Sequence, residues 1–326
     1  MNLRRDAISA TVIVPTHRGA GRIGALLDSL RRQTADHQVL VVDNGSRDGT
    51  SGVLRGYPET EVLRLEENVG FGRAVNLAAR RAEGSALVLV NDDCACDQRF
   101  VEEITRPLDP GTGVVMAAGV LRDRRDERLI DTAGMELDST LLVFDYLNGE
   151  PLSVLDQTVE DPVGPCAAAA AFDRHVFSES GGFDEALFAY WEDVDLVLRL
   201  RQAGGRCLLA PRAMGTHSHS ATLGPGSAGK NALMGWGRGY LLRKWSVLTP
   251  RRVHRVLARD GVICMGQAVF DRNLAGFTGR VRGWRATEAR MPYPGELLTP
   301  GPTPSAWQTL RRRLRRRGRL LRSGEP

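Results

Sequence analysis

The apolar positions of this chain fall first into short unbroken runs and later into helical stripes. Residues 11–15 form a β-rich run, followed by a polar loop at 16–21. Ile23, Leu26, Leu27 and Leu30 then recur at helical spacing. A second apolar run at 39–42 ends in Asp43-Asn44-Gly45-Ser46, a loop that also offers caps for the next helix. Residues 61–65 predict a third strand, 71–82 a helix, and 86–90 a fourth strand that stops at Asn91-Asp92-Asp93. Apolar strands alternating with helices predict an α/β fold, with a mostly parallel central sheet covered by flanking helices on both faces. In such a sheet ligands bind at the carboxyl edge of the strands. Thr16, Asp43, Asn68, Asp92 and Asp93 all fall at or just beyond strand ends, which predicts one shared site.

From about residue 114 the pattern loosens into shorter strands and loops, including 141–146 and a small-residue run at 166–171. A helix is predicted after Tyr190, stopped by Gly204-Gly205, and 206–210 reads as a strand before Pro211. Residues 228–247 look helical, and 250–285 read as basic amphipathic helices that form a C-terminal helical extension. The organisation predicted is a main domain at 1–225, with halves at about 1–110 and 111–225. A helical extension at 226–290, a Pro/Gly linker at 291–305 and a tail at 306–326 follow it.

Charge sharpens that division. The net +5 hides 27 basic and 34 acidic side chains in residues 1–250 against 17 and 5 in residues 251–326. The two parts must face different partners. Eight arginines between 311 and 322 surround Trp307, Leu310, Leu314 and Leu321, a basic amphipathic pattern that suits an anionic membrane surface. A disordered basic tail or a nucleic-acid contact is the alternative, but no nucleic-acid fold motif accompanies it, so no nucleic-acid partner is expected. Apolar content of 42% and charged content of 25% are ordinary globular values. No run is long enough for a spanning helix. The first residues lead into a strand without the apolar region of a signal peptide. The five cysteines (94, 96, 166, 207, 264) are odd in number and irregularly spaced, which points to a reducing setting. The expected location is cytoplasmic, at the inner face of the cell membrane.

Two acidic clusters carry the candidate chemistry. Asn91-Asp92-Asp93 sits in a turn after a buried strand, where one or two carboxylates can hold Mg²⁺ or Mn²⁺ beside phosphate oxygens; an acidic loop cap is the plainer reading. Glu192, Asp193 and Asp195 open a helix, where the dipole favours negative charge, and a base there would be ionised at neutral pH. Helix-start electrostatics explain those acids equally well. The preceding Phe188-Ala189-Tyr190-Trp191 offers aromatic faces that could wall a sugar-sized pocket. Gly70-Phe71-Gly72-Arg73-Ala74 contains a dinucleotide-like Gly-x-Gly spacing, but at the third βα junction rather than the first. His217 and His219 read as loop histidines or as members of a metal shell. Cys94 and Cys96 lack a second pair at zinc spacing and read as structural.

In this order, Val14-Pro15-Thr16, the 42–50 segment Val-Asp-Asn-Gly-Ser-Arg-Asp-Gly-Thr, Asn68-Val69-Gly70-Phe71-Gly72, Asn91-Asp92-Asp93, Gly181-Gly182-Phe183-Asp184-Glu185 and Glu192-Asp193-Val194-Asp195-Leu196 resemble the motifs of family-2 glycosyltransferases of the GT-A nucleotide-diphospho-sugar transferase fold. The likeness is nearest the bacterial rhamnosyltransferase-like branch and runs from residue 11 to about 219. The resemblance implies that Asp43 hydrogen-bonds a nucleobase, that Pro15 and Thr16 shape its pocket, and that Asn68 lies near the nucleotide. It makes Asp93 the principal metal ligand and His217 a further one, with Mg²⁺ or Mn²⁺ as cofactor. Asp92 would contact sugar, ribose or metal; the family's Asp-x-Asp is written Asn-Asp-Asp here, so either Asn91 or Asp92 takes its first position.

Asp193 would be the catalytic base, with Trp191, Glu192 and Asp195 as acceptor-site candidates. The implied activity is inverting sugar transfer from a nucleotide-sugar donor, dTDP- or UDP-linked and rhamnose-like, to a lipid-linked or cell-envelope polysaccharide acceptor. A nucleotidyltransferase, or a non-catalytic carbohydrate- or lipid-binding module on the same fold, is the alternative.

Overall fold

The computed structural model describes residues 10–157, 159–218, 224 and 226–295. His219, the linker beyond residue 295 and the arginine-rich tail at 306–326 lie outside the described residues. The first half follows the expected alternation: β1 (Ala10–Thr16), α1 (Ile23–Leu30), β2 (His37–Asn44), α2 (Thr50–Leu54), β3 (Glu61–Leu65), α3 (Phe71–Ala79) and β4 (Ala86–Val90). The short β5 (Cys94–Cys96) and α4 (Phe100–Thr105) come next. They lead to β6 (Val114–Asp123), β7 (Asp126–Thr132) and the hairpin of β8 (Met135–Leu137) and β9 (Val143–Asp145). β10 (Ala169–Asp173), α5 (Arg174–Glu179), α6 (Glu192–Gln202) and β11 (Arg206–His217) complete the sheet-bearing part. α7 (Ala228–Lys244), α8 (Val253–Phe270) and α9 (Ala275–Arg285) follow.

The main sheet runs β3-β2-β1-β4-β10-β6-β11-β5, with β7 paired to β6. β1, β2, β3 and β4 are parallel. β10 then enters antiparallel to both β4 and β6, so the expected parallel order is interrupted by one strand at the centre. Ala169, Ala170 and Ala171 make that insertion possible, because they are fully enclosed and occupy little volume between their neighbours. Side chains alternate across the sheet: Ile13 joins Leu89, Phe172 and Phe183 on one face, while Val12 and Val14 join Leu26, Leu27 and Phe100 on the other. Each face is therefore a buried layer covered by helices, and the site is confined to the strand ends.

Two expectations change. The strand at 206–210 continues to His217 through Pro211, with a break in the register against β6 between Leu209 and Met214. A proline lacks an N–H and is accommodated where the ladder is interrupted, so its presence did not end the strand. His217 consequently sits on a strand rather than in a loop.

Among the C-terminal helices, α7 and α9 cross with their backbones nearly touching: a Cβ at Gly235 would lie 2.2 Å from the Gly276 carbonyl oxygen, and one at Gly283 1.9 Å from that of Trp236. Glycine is what allows that approach. Among the described residues no helix is long and apolar enough to cross a membrane.

Candidate active site

At the carboxyl edge, register places Thr16 of β1 beside Asp43 of β2, and Pro15 beside Val42. Asp43 is buried; its Oδ1 accepts from the Ser46 N–H at 3.1 Å and its Oδ2 from the Ser51 hydroxyl at 3.1 Å. Asn44 ties this loop to the next. Its Nδ2 donates to Asn68 Oδ1 at 3.0 Å, and its Oδ1 accepts from the Val69 N–H at 2.9 Å. Asn68 Oδ1 also accepts from the Gly70 N–H at 3.0 Å, and the Phe71 N–H donates to the Phe188 carbonyl at 2.8 Å. The loop bearing Asn68 thus meets the segment that leads into the second acidic cluster.

The first cluster divides in two. Asp92 turns towards α1: its Oδ1 accepts from Arg22 Nε at 2.8 Å, and its Oδ2 from the Thr16 hydroxyl. Burial raises the Asp92 pKa, and Arg22 and Thr16 offset only part of that rise. Arg22 stands at the N-cap of α1, where a cation works against the helix dipole. A basic residue at that position was a signal for a nearby acid that sequence reasoning did not use.

Asp93 turns the other way. β5 pairs antiparallel with β11, putting His217 opposite Cys94, one residue from Asp93. His217 Nε2 lies 3.1 Å from Asp93 Oδ1, and His217 Nδ1 lies 2.9 Å from Asp131 Oδ2. Burial alone would lower the His217 pKa, but hydrogen bonds to Asp131 and Asp93 outweigh it and push it up to about 9. Ligand atoms of Asp93, His217 and Cys94 all lie within 4.8 Å of one another, close enough to share one cation. Burial pushes the Cys94 thiol well above its ordinary pKa. A carboxylate and an imidazole whose other nitrogen is held by a buried carboxylate form a donor set that fits Mg²⁺ or Mn²⁺ and orients the ring. Asp131, on β7, was missed because it belongs to no motif; only the pairing of β6 with β7 brings it here.

The second cluster opens α6. Tyr190 (φ 68°) and Trp191 (φ 76°) both adopt left-handed backbone conformations immediately before Glu192. Such conformations cost about 1–3 kcal/mol each in non-glycine residues and persist where packing imposes them. Here the packing is visible: the Trp191 indole N–H donates to the Met234 carbonyl at 2.9 Å, and the Arg238 guanidinium lies 5.8 Å from the ring centre.

Trp191 is therefore a buried wedge between α6 and α7, not an open aromatic wall; Phe188 keeps an exposed ring. Asp195 also turns inward. It is wholly buried, with Oδ2 accepting from Arg199 Nε at 2.8 Å and Oδ1 facing Lys244 Nζ at 2.8 Å and Trp245 Nε1 at 3.0 Å. Both oxygens are engaged by the protein.

Asp193 remains at the edge. Its Oδ1 accepts from the Val194 N–H at 2.8 Å and its Oδ2 from the Ala167 N–H at 3.5 Å. The adjoining Ala168 carbonyl accepts from the Asn91 N–H at 3.4 Å and from the Cys94 thiol at 3.8 Å. Two consecutive residues before β10 thus bridge the turn at 91–94 and Asp193. Burial raises the Asp193 pKa against the pull of these backbone N–H groups. Glu192 is raised further, first by burial and then by the Asp193 charge, and its Oε2 has no hydrogen-bond partner.

The sheet edge thus gathers a buried polar loop, a carboxylate–histidine pair and a buried acidic dyad. Solved structures agree on the fold: a structure of GalNAc-T7 with UDP, GalNAc and Mn²⁺ superposes with a TM-score of 0.61 at 14% identity, covering 88% of this chain and 56% of that one. Glycosyltransferase AglE of Haloferax volcanii is 28% identical over 64% of this chain and 66% of its own length. The N-acetylglucosaminyl-diphospho-decaprenol L-rhamnosyltransferase of Mycobacterium tuberculosis is 28% identical over 58% and 69%. The chain spans just under two thirds of AglE. The profile of glycosyl transferase family 2 matches residues 11–169, just under half of the chain.

Proposed function

We propose that this chain is an inverting, metal-dependent glycosyltransferase. It would move a sugar, rhamnose-like, from a dTDP- or UDP-linked donor to a lipid-linked or cell-envelope polysaccharide acceptor at the inner face of the cell membrane. The observation that carries the reading is the bridge at 167–168, which holds Asp193 on one side and, through Asn91 and Cys94, the turn that carries Asp93 on the other. The GalNAc-T7 structure holds UDP and Mn²⁺, and the mycobacterial relative is named for rhamnosyl transfer to a diphospho-decaprenol-linked sugar; both support the donor and acceptor classes.

In this reading Asp43 and Asn68 set the nucleobase loop, with Pro15 and Thr16 forming its floor. Asp92, held by Arg22, faces the sugar side. Asp93 and His217 would hold Mg²⁺ or Mn²⁺, which supplies charge neutralisation for a diphosphate leaving group. With the ion bound, Asp131 would keep the His217 proton on Nδ1 and leave the Nε2 lone pair to the metal. Asp193 accepts the proton of the acceptor hydroxyl as that oxygen attacks the anomeric carbon. The C–O bond to the diphosphate breaks on the opposite face, and the configuration inverts. A carboxylate whose pKa is raised by burial is a stronger base than one in water.

General-base assistance contributes roughly 10²–10⁴-fold. Asp193→Asn is therefore expected to lose transfer by about that factor while Mn²⁺-dependent nucleotide-sugar binding, read by calorimetry, stays intact. Unchanged turnover in that variant sinks the base assignment.

A further inference from the structure

We propose that the outward face of α8, together with the α8–α9 turn, is an anionic-membrane docking surface. The proposal rests on the membrane-associated acceptor reading above and names the surface that serves it. α8 is built inside out. Leu257, Val262, Met265 and Val269 lie on its solvent side, 58%, 67%, 63% and 63% exposed. Three of its polar side chains face the protein: Asp260 Oδ1 accepts from the buried Arg238 at 3.2 Å, Arg259 pairs with Asp138, and Gln267 Nε2 donates to Asn231 Oδ1 at 3.1 Å. An ordinary surface helix has the opposite orientation. Phe270, Leu274 and Phe277 continue the apolar surface past the helix end. Seven of the eight exposed large hydrophobic side chains among the described residues thus lie between 257 and 277, a clustering that marks an interaction surface.

Charge selects the occupant. Arg251, Arg255, Arg272, Arg282 and Arg285 are all exposed around this patch. The acids between 251 and 285 are Asp260 and Asp271, and both are turned to the chain itself, Asp271 accepting from Asn231 at 2.9 Å. A second copy docking on this face would bring two basic rims together. The chain's own remainder, residues 296–326, carries eight arginines against two glutamates and is repelled in the same way. Apolar side chains ringed by arginine fit lipid tails beneath anionic headgroups. Through Asp260 and Arg238 the same helix reaches the Trp191 ring, which precedes the Glu192–Asp193 pair. A docked α8 therefore fixes the base relative to the lipid surface, where a lipid-linked acceptor is presented.

The test is sedimentation of the full chain with phosphatidylcholine vesicles, with and without phosphatidylglycerol. It compares the parent with Val262→Ser/Met265→Ser/Val269→Ser, which leaves the charge unchanged. The parent is expected to bind anionic vesicles, and the triple variant to bind about tenfold or more weakly, with melting temperature and Mn²⁺-dependent UDP binding unaltered. Equal binding by both chains overturns the proposal and leaves the basic tail as the sole contact. No vesicle binding by the parent overturns it in favour of an acidic protein partner. A parent dimer in solution that the variant dissolves overturns it in favour of self-association. Vesicle binding that follows the prediction in a chain that turns over no nucleotide-sugar supports the surface and refutes the enzymatic reading instead.

Discussion

Asp195→Ala separates a buried structural acid from an acceptor-binding one. The Asp195 carboxylate joins α6 to α7 through Arg199, Lys244 and Trp245, none farther than 3.0 Å. Removing one member of a buried ion pair typically costs about 3–5 kcal/mol, because the partner charge is left enclosed and uncompensated. Two features move the cost to the lower end. Lys244 keeps Asp184 at 2.7 Å, and Arg199 keeps the Ser180 and Gly182 carbonyls at 2.7 and 2.6 Å. The expected loss is about 3 kcal/mol, equivalent to a fall in melting temperature of roughly 6–12 °C for a domain of this class. Thermal unfolding reads it directly, with donor turnover measured well below the transition so that folded protein is compared with folded protein. A variant that melts within about 1 °C of the parent but loses kcat/KM would refute the structural assignment and return Asp195 to the acceptor site.

Two further outcomes are expected at the same site. Asp131→Asn removes the carboxylate that fixes His217, and Mn²⁺ affinity is expected to fall about 10–100-fold by calorimetry without added donor; unaltered affinity would mean that the ring is oriented by other contacts. Glu192→Gln removes a buried acid whose folded pKa is raised by burial and by Asp193. A raised carboxylate pKa contributes stability that is fully present below the unfolded value and is lost as pH rises through the folded one. The variant should therefore match the parent in acid and melt progressively higher as pH rises above the ordinary carboxylate range. A gap that is constant with pH would show that the proton is not taken up at this dyad.

The first half was legible because its signals are local. Runs of apolar residues ending in Asp43 or Asn91 announce both the strands and the polar loops at their ends, and period alone puts Ile13 and Val14 on opposite faces. The second half was less legible because its partners are distant in sequence. β10 owes its place to small side chains admitted between β4 and β6, and the continuation of β11 past Pro211 depends on a register break that only pairing with β6 reveals. The same limit applied at the site. Asp93 stood in a recognisable motif and His217 was pointed to by the family resemblance, whereas Asp131 became visible only across the β6–β7 ladder. Trp191 and Asp195 looked available to an acceptor because an acid at a helix start does not show in sequence which way it points. The fold turned both inward, towards α7.

The glycine seam between α7 and α9 has a mechanical consequence. Where two helices meet through interlocking side chains, rotamer changes let one slide against the other. Here backbone meets backbone, so that route of slip is closed and the pair acts as a single stiff bar. Trp191 is seated on the same bar, against Gly237, where a Cβ would come within 2.4 Å of its ring. Enlarging either side of the seam would tilt the bar instead of filling a gap, and the angle of the segment leading into Glu192 and Asp193 would tilt with it. Residues far from any reacting atom thus set the aim of the site, and this is where mutations that alter turnover without touching a ligand should accumulate.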